Sequence, residues 1–255
     1  MMFNSYVFTS TLRDMLRPAR IVPWVLLALV LGGVSFLWTS LSRDPLGALQ
    51  YGMLVRFIVY RVVALACAMF TVMVIGQEVE QKTIVYLVTR PIERGTLIVS
   101  RSLAAVAAAT LMSWMSVIAV GFAILGPGVF GQTMFWMDVL IMLLGALAYT
   151  ALFVSISLLI NRAMLVILLF TFVWEAFVPL INGDMYLLTI NTYMSALALH
   201  PNKTLSFRVA SQLSGDISVS PWVAWIVLGA VCVSLLWFCS WWFSRHSYLP
   251  REDAE

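Results

Sequence analysis

Charge is scarce in this sequence. Only 11% of its 255 residues are charged, whereas 62% belong to the hydrophobic set AVILMFWYC, and the mean hydropathy is +0.96. Soluble domains carry about 25% charged residues, so a water-soluble globule of this size is excluded. The same hydrophobicity excludes a disordered chain. The net charge of +3 is too small to indicate a nucleic-acid partner, and we expect none.

Reactive and metal-binding side chains are also few. Cys67, Cys232 and Cys239 all fall inside apolar stretches, without the spacing of a disulfide framework or a metal site. The two histidines, His200 and His246, fall outside these stretches, and no nucleophile–base spacing accompanies them. We therefore predict neither a metal centre nor an enzymatic active site in this chain.

The chain does contain a series of long apolar runs. Each has 19 to 24 residues, enough to cross about 30 Å of hydrocarbon at about 1.5 Å per residue. None shows the alternation of a barrel strand. We predict an all-α membrane protein that forms a single domain over 1–255 with six transmembrane helices. Their ranges are 21–41, 55–77, 102–125, 137–160, 163–181 and 221–244.

Basic residues are distributed unequally between the two sides of the predicted bilayer. If the N-terminus is cytoplasmic, ten of the fifteen Lys and Arg residues lie on the cytoplasmic side. They are Arg13, Arg17, Arg20, Lys82, Arg90, Arg94, Arg101, Arg162, Arg245 and Arg251. The positive-inside rule therefore predicts that both ends of the chain are cytoplasmic. The first run is too long for a signal-peptide core, so we expect it to be retained.

The N-terminal segment, residues 1–20, is predicted to lie on the cytoplasmic leaflet. Phe8, Leu12 and Met15 repeat at helical spacing, and Asn4 or Ser5 is suited to cap the start of a helix. An apolar face of this kind beside basic residues is typical of an amphipathic interfacial helix. A frayed terminus is the alternative.

The outer segment, residues 182–220, is predicted to lie on the opposite side. It is too long for a simple turn, and it contains two apolar stretches, 186–199 and 205–213. We interpret these stretches as short outer helices between the fifth and sixth spans, which cap or gate an outer exit. A packed loop with no transport role is the alternative.

Residues 78–101, between the second and third spans, form the most charged stretch of the chain. A short helix over 79–88 would place its charges on one face, and Pro91 would end it. Mixed charge on an amphipathic element favours specific pairing with a cytoplasmic partner. A solvated loop whose arginines only set the topology is the alternative.

The spacing of this loop resembles that of the ABC type-2 permease family, the membrane subunits of ATP-driven exporters. Members carry an acidic pair, a Gly/Lys-Thr step, a Leu, a Pro and basic residues at fixed intervals. The matching residues here are Glu78, Glu80, Lys82, Thr83, Leu87, Pro91, Ile92, Arg94 and Arg101. Many members have Gly in place of Lys82 and a small or apolar residue in place of Arg90, so these departures indicate a subgroup.

The resemblance implies a mechanism and partners. The stretch 78–101 would act as a coupling helix that docks on a separate ABC ATPase subunit, where Mg-ATP is bound and hydrolysed. A second permease chain, identical or different, would complete the transporter in a prokaryotic inner membrane. The 255 residues contain no G-x-x-x-x-G-K-[ST] motif. We therefore expect this chain to be a non-enzymatic permease that holds no cofactor itself.

Two charges are predicted inside the bilayer at matching depths, Arg61 in the second run and Glu175 in the fifth. A charge in hydrocarbon costs at least ~2.5 kcal/mol unless it is paired or hydrated. We predict that the two form a pair or face one polar cavity, as an interhelical staple, as a gate latch or as a substrate contact. Asp138, at the outer lip of the fourth run, is expected to be hydrated. A secondary transporter that uses the pair as a relay and a non-transporting scaffold are the alternative functions.

Overall fold

The computed structural model describes residues 4–42, 47–76, 94–160, 162–178, 184–200 and 219–245. Within these ranges the chain forms helices and turns but no strand, so the predicted all-α class is confirmed. The predicted coupling residues from Glu78 to Pro91 lie outside the described residues, as does the second stretch of the outer segment, 205–213.

Eight helices are labelled here in chain order. They are α1 (Ser5–Met15), α2 (Pro18–Leu41), α3 (Gly47–Val74), α4 (Arg94–Leu125), α5 (Thr133–Leu159), α6 (Ala163–Phe177), α7 (Ile190–Leu197) and α8 (Pro221–Arg245). Five of them, α2, α3, α4, α5 and α8, are long and apolar enough to cross a membrane, as in a multi-pass integral membrane protein. Helix α6 is shorter, so the crossing predicted over 163–181 stays a prediction.

Helix α1 confirms the predicted N-terminal helix. The Asn4 side chain caps it by accepting hydrogen bonds from two backbone N–H groups of the first turn, at 3.1 and 3.3 Å. The Asn4 backbone N–H donates to the Ser100 hydroxyl at 3.1 Å, which docks α1 against the start of α4. Asp14 pairs with Arg17 and Arg20, both at 2.8 Å, and so fixes the turn into α2.

Helix α4 lies at the centre of the fold. Helices α2, α3, α5 and α8 all pack against it. Small residues make this possible, because they let helix backbones approach closely. A Cβ at Gly32 of α2 would lie 3.3 Å from the Cβ of Ala119. The buried alanines of α4 include Ala104, Ala105, Ala108 and Ala109.

The chain reverses between α4 and α5. Gly126 adopts a left-handed conformation, φ +66°, which ends α4 and which glycine adopts without strain. A 3₁₀ turn over Gly126–Gly131 then leads into α5. We call this end of the bundle the outer end and the end that carries α1 the inner end. Helix α5 therefore starts at the outer end, and α6 returns to it.

The base of the charged loop lies at the inner end. The Arg101 guanidinium donates a hydrogen bond to the backbone carbonyl of Val74 at 3.2 Å. This contact joins the end of α3 to the start of α4, so the connection between these helices leaves and returns beside α1.

Candidate functional site

Asp138 occupies a closed polar site at the outer end. Its carboxylate is fully buried and accepts hydrogen bonds from the hydroxyls of Tyr51, at 2.8 Å, and Tyr60, at 2.7 Å. The expectation that Asp138 is hydrated was wrong. Helix α3 begins at Gly47 rather than at residue 55, and the added turns bring Tyr51 over the carboxylate.

His200 completes this site from the outer segment. Its Nε2 lies 3.0 Å from Oδ2 of Asp138, the oxygen that also accepts from Tyr51, and only 11% of its side chain is exposed. The imidazole packs edge-on against the ring of Tyr51, with centroids 5.9 Å apart. Gly52 leaves room for it, because a Cβ there would lie 3.0 Å from the Cβ and Cγ of His200. One carboxylate therefore joins α3, α5 and the outer segment.

Glu175 holds the other end of the same segment. Its side chain is 3% exposed and accepts hydrogen bonds from the backbone N–H groups of Ile190, at 3.1 Å, and Asn191, at 3.4 Å. The first N–H groups of a helix have no partner within the helix, and a negative charge there is also favoured by the helix dipole. The Tyr149 hydroxyl donates to the same carboxylate. Glu175 of α6 thus caps α7 and joins it to α5.

Helix α7 is also held at its centre. Met194 is fully buried, and a Cβ at Gly145 of α5 would lie 2.6 Å from its Sδ and Cε atoms. We call the three contacts together the outer clamp: Glu175 at the start of α7, Gly145 against Met194 in the middle, and Asp138 with His200 beyond its end. The clamp fixes the first predicted stretch of the outer segment against the bundle.

Arg61 does not belong to the clamp. It lies on α3 with an exposed side chain, and its positive charge acts on the Glu175 carboxylate through space. In the described ranges the acids that contact a basic side chain are Asp14, with two arginines, and Asp138, with His200, so no ion pair joins Arg61 to Glu175. The Glu175 oxygens are taken by backbone and phenol donors instead. That the two residues face one polar region stays a prediction.

The predicted coupling residues lie at or before the start of α4 in the chain. Glu78, Glu80, Lys82, Thr83, Leu87, Arg90 and Pro91 lie outside the described residues, and Arg94 is the first residue of α4.

Replacing Glu175 separates its capping role from a role as a gate. Glutamine keeps one acceptor oxygen, so we expect Glu175→Gln to fold and to lose only about 1 kcal/mol of stability. Alanine leaves two N–H groups and a phenol without an acceptor, so Glu175→Ala should lose about 3 kcal/mol. Thermal unfolding of the purified protein in detergent measures both. Unchanged transport by a well-folded Glu175→Gln protein would argue against a gate.

Comparison with protein families and curated proteins identifies no relative of this chain. No protein-family model matches the chain, and a search of curated proteins finds no match. Function is therefore inferred from the residues themselves: the charged loop at the inner end, the clamp at the outer end, and Arg61 between them.

Proposed function

We propose that this chain is the permease subunit of an ABC exporter, which moves its substrate by conformational coupling to a separate ATPase subunit. The observation that carries the proposal is the charge spacing of residues 78–101 between two membrane-spanning helices. The proposal includes six crossings, with α6 and the residues to 181 as the fifth, and both chain ends in the cytoplasm of a prokaryotic cell. A second permease chain would complete the pathway.

At the inner end, a movement of a bound partner would be transmitted to the membrane-spanning helices. Residues 77–93 connect α3 to α4, and the bond from Arg101 to Val74 ties these helices together where the loop begins and ends. A displacement of the loop would therefore move both helices as one body. Since α4 packs against most of the other spans, the movement would spread through the bundle.

The outer end supports the proposal in a second way. An exporter must keep its outer exit closed until the ATPase acts. The outer clamp holds α7 across this end by contacts to α5 and α6, and two of the three contacts are polar contacts to a buried carboxylate. Polar contacts of this kind have discrete made and broken states, as a gate requires.

The partner is tested by its copurification. We expect the triple variant Glu78→Gln, Glu80→Gln, Arg94→Gln to lose about 90% of the ATPase that copurifies with the wild-type chain, because interface charge pairs fix docking. The ATPase to be measured is a Walker-A protein encoded by an adjacent reading frame, expressed together with this chain. Its amount is read from the ratio of the two proteins after affinity purification.

A matched control removes three charges elsewhere at the inner end. Arg13→Gln, Asp14→Asn and Arg17→Gln lie on or next to α1 and should leave the complex intact. A loop variant that retains both the partner and its ATP hydrolysis would show that residues 78–101 do not couple the two subunits.

Secondary transport is the second candidate, and the buried acids favour it. Asp138 and Glu175 are 0% and 3% exposed, and ionisable residues inside a membrane commonly mark ion pathways. The distinguishing experiment uses vesicles that contain the purified chain alone and a pH-sensitive dye. Proton entry driven by an imposed pH gradient, absent in Glu175→Gln vesicles, would favour this function. A chain inactive without the ATPase would favour the exporter.

A further inference from the structure

One turn of α3, Val55–Val59, is π-helical. The backbone N–H of Tyr60 donates to the carbonyl of Val55, five residues earlier, whereas an α-helical bond reaches back four residues. The turn therefore contains one residue more than an α-helical turn. It lies between Tyr51 and Tyr60, the two phenols that donate to Asp138. We call this segment the α3 π-turn.

The extra residue allows both tyrosines to reach one carboxylate. Tyr51 and Tyr60 are nine positions apart in the sequence, and nine residues of a continuous α-helix make about 2.5 turns, which would place them on opposite sides. The π-turn takes up one residue, so the two positions are related as about eight α-helical residues are, by about 2.2 turns. Both side chains then lie on the side of α3 that faces Asp138 of α5.

The same feature recurs at the other buried carboxylate of the outer clamp. The backbone N–H of Glu175 donates to the carbonyl of Phe170, also five residues earlier, and this bond closes a π-helical turn over Phe170–Trp174. Each carboxylate that holds the outer segment is therefore either carried by a helix with a π-turn or contacted by one. Such turns are rare and are frequently found at functional sites.

The α3 π-turn has an alternative state. If α3 became a continuous α-helix, the part before the turn, Gly47–Leu54, would rotate by about 100° relative to the part after it. The later part is fixed to α5, because the Cys67 thiol donates to the carbonyl of Ala146 at 3.6 Å, and Val63 beside it is fully buried. The earlier part, which has only two turns, would therefore be the one that rotates.

This rotation would release His200 from the outer clamp. The phenol of Tyr51 would leave Asp138, and its ring would leave the imidazole, which it now contacts at a centroid distance of 5.9 Å. Gly52 would turn away as well. The imidazole would lose the space that this glycine provides, because a Cβ at this position would lie 3.0 Å from the Cβ of His200. One end of the clamp would then be open.

We infer that the α3 π-turn is the release element of the outer clamp, closed in the π state and opened by conversion to a continuous α-helix. The bonds from Tyr51 and Tyr60 to Asp138 hold the closed state, whereas the usual preference of a helix for α-helical bonds favours the open one. Because α3 ends at the charged loop, a movement there can bias this choice. Use of the switch in transport rests on the proposed function.

Deletion of single residues tests this geometry in the purified chain. Deleting Phe57, which is 56% exposed, removes the extra residue and leaves a continuous α-helix with both tyrosines on one side. The thermal midpoint in detergent should stay within about 3 °C of that of Phe57→Ala. Deleting Leu65, in the α-helical part, rotates one half of α3 against the other and should cost about 10 °C relative to Leu65→Ala. Equal losses for the two deletions would overturn the inference.

A disulfide reports whether the clamp is closed. A Cβ at Gly52 would lie 3.0 Å from the Cβ of His200, so oxidation can join the two chain positions in a Gly52→Cys, His200→Cys protein. Adding Tyr51→Phe removes a bond that holds the π state and should slow this cross-linking about tenfold. In the same protein without Phe57, α3 has no second state, so Tyr51→Phe should leave the rate unchanged. An equal response with and without Phe57 would contradict the switch.

Failure of the switch is separable from failure of the proposed function, because both of these tests use the purified chain alone. In the complex with the ATPase, the protein without Phe57 should keep its partner but lose about 90% of ATP hydrolysis, because its clamp cannot open. Unchanged hydrolysis would overturn the release role and leave the exporter function intact. A wild-type chain that binds no ATPase would refute the exporter, and the cross-linking comparison would still decide the switch.

Discussion

Replacing Asp138 by alanine should destabilise the protein by about 4 kcal/mol, because it leaves several buried groups without their acceptor. The hydroxyls of Tyr51 and Tyr60 donate to this carboxylate, and His200 lies 3.0 Å from it. Each buried donor left unsatisfied costs about 1–3 kcal/mol. The thermal midpoint of the detergent-solubilised protein should therefore fall by about 10 °C. Aggregation after heating, followed by size-exclusion chromatography, measures this shift.

The matched control is the exposed acid of the inner end. Asp14 also pairs with two basic groups, but its side chain is 43% exposed, and surface ion pairs contribute about 0–1 kcal/mol. Asp14→Ala should therefore shift the midpoint only slightly. Tyr60→Phe removes one of the donors and leaves the acid, so its shift in the thermal midpoint should lie between those of Asp138→Ala and Asp14→Ala. Equal shifts for Asp138→Ala and Asp14→Ala would contradict the closed polar site.

The spans were predictable where an apolar run has sharp boundaries. The last run was predicted to start at residue 221, and α8 starts at Pro221, where a proline follows polar residues. The start of α3 was missed. Residues 47–54 include glycines, Gln50 and Tyr51, which lower the local hydropathy, so the apolar run is recognisable only from residue 55. These residues are nevertheless helical, since their buried side pairs with α4 and α5. Tertiary packing decided this boundary.

The candidate site was only partly predictable for a related reason. Glu175 was identified as important from its position in an apolar run, but its partners are backbone N–H groups, which no residue type marks. The partners of Asp138 are 87, 78 and 62 positions away in the chain. No spacing rule connects residues so far apart, so only the packing of α3, α5 and the outer segment brings them together.

One face of α5 touches all three parts of the outer clamp. Asp138, Gly145 and Tyr149 recur at helical spacing and therefore lie on one side of the helix. Asp138 meets His200, Gly145 meets Met194, and Tyr149 meets Glu175. Because α5 makes the contacts to His200 and Met194 itself and holds Glu175 through Tyr149, a displacement of α5 relative to α6 and α7 would strain all three parts of the clamp together. Release of the outer segment should therefore be cooperative.

Locking the clamp should stop the transport cycle, if this chain acts with an ATPase as proposed. A Cβ at Gly145 would lie 3.5 Å from the Cγ of Met194, so cysteines at both positions come within the reach of a disulfide. We expect oxidation of the Gly145→Cys, Met194→Cys protein to lower ATP hydrolysis by the copurified complex about tenfold, because each turnover must move α7. Reductant should restore it.

Two controls make this result specific to the clamp. The Met194→Cys single variant should keep its activity under oxidation, which also controls for the partly buried native Cys232, and the native Cys67 and Cys239 are buried away from the oxidant. Mass spectrometry must show that the engineered disulfide has formed. A fully cross-linked protein with unchanged hydrolysis would mean that α7 stays fixed during turnover. The clamp would then be a structural element of the outer end, and the exit would have to open elsewhere in the bundle.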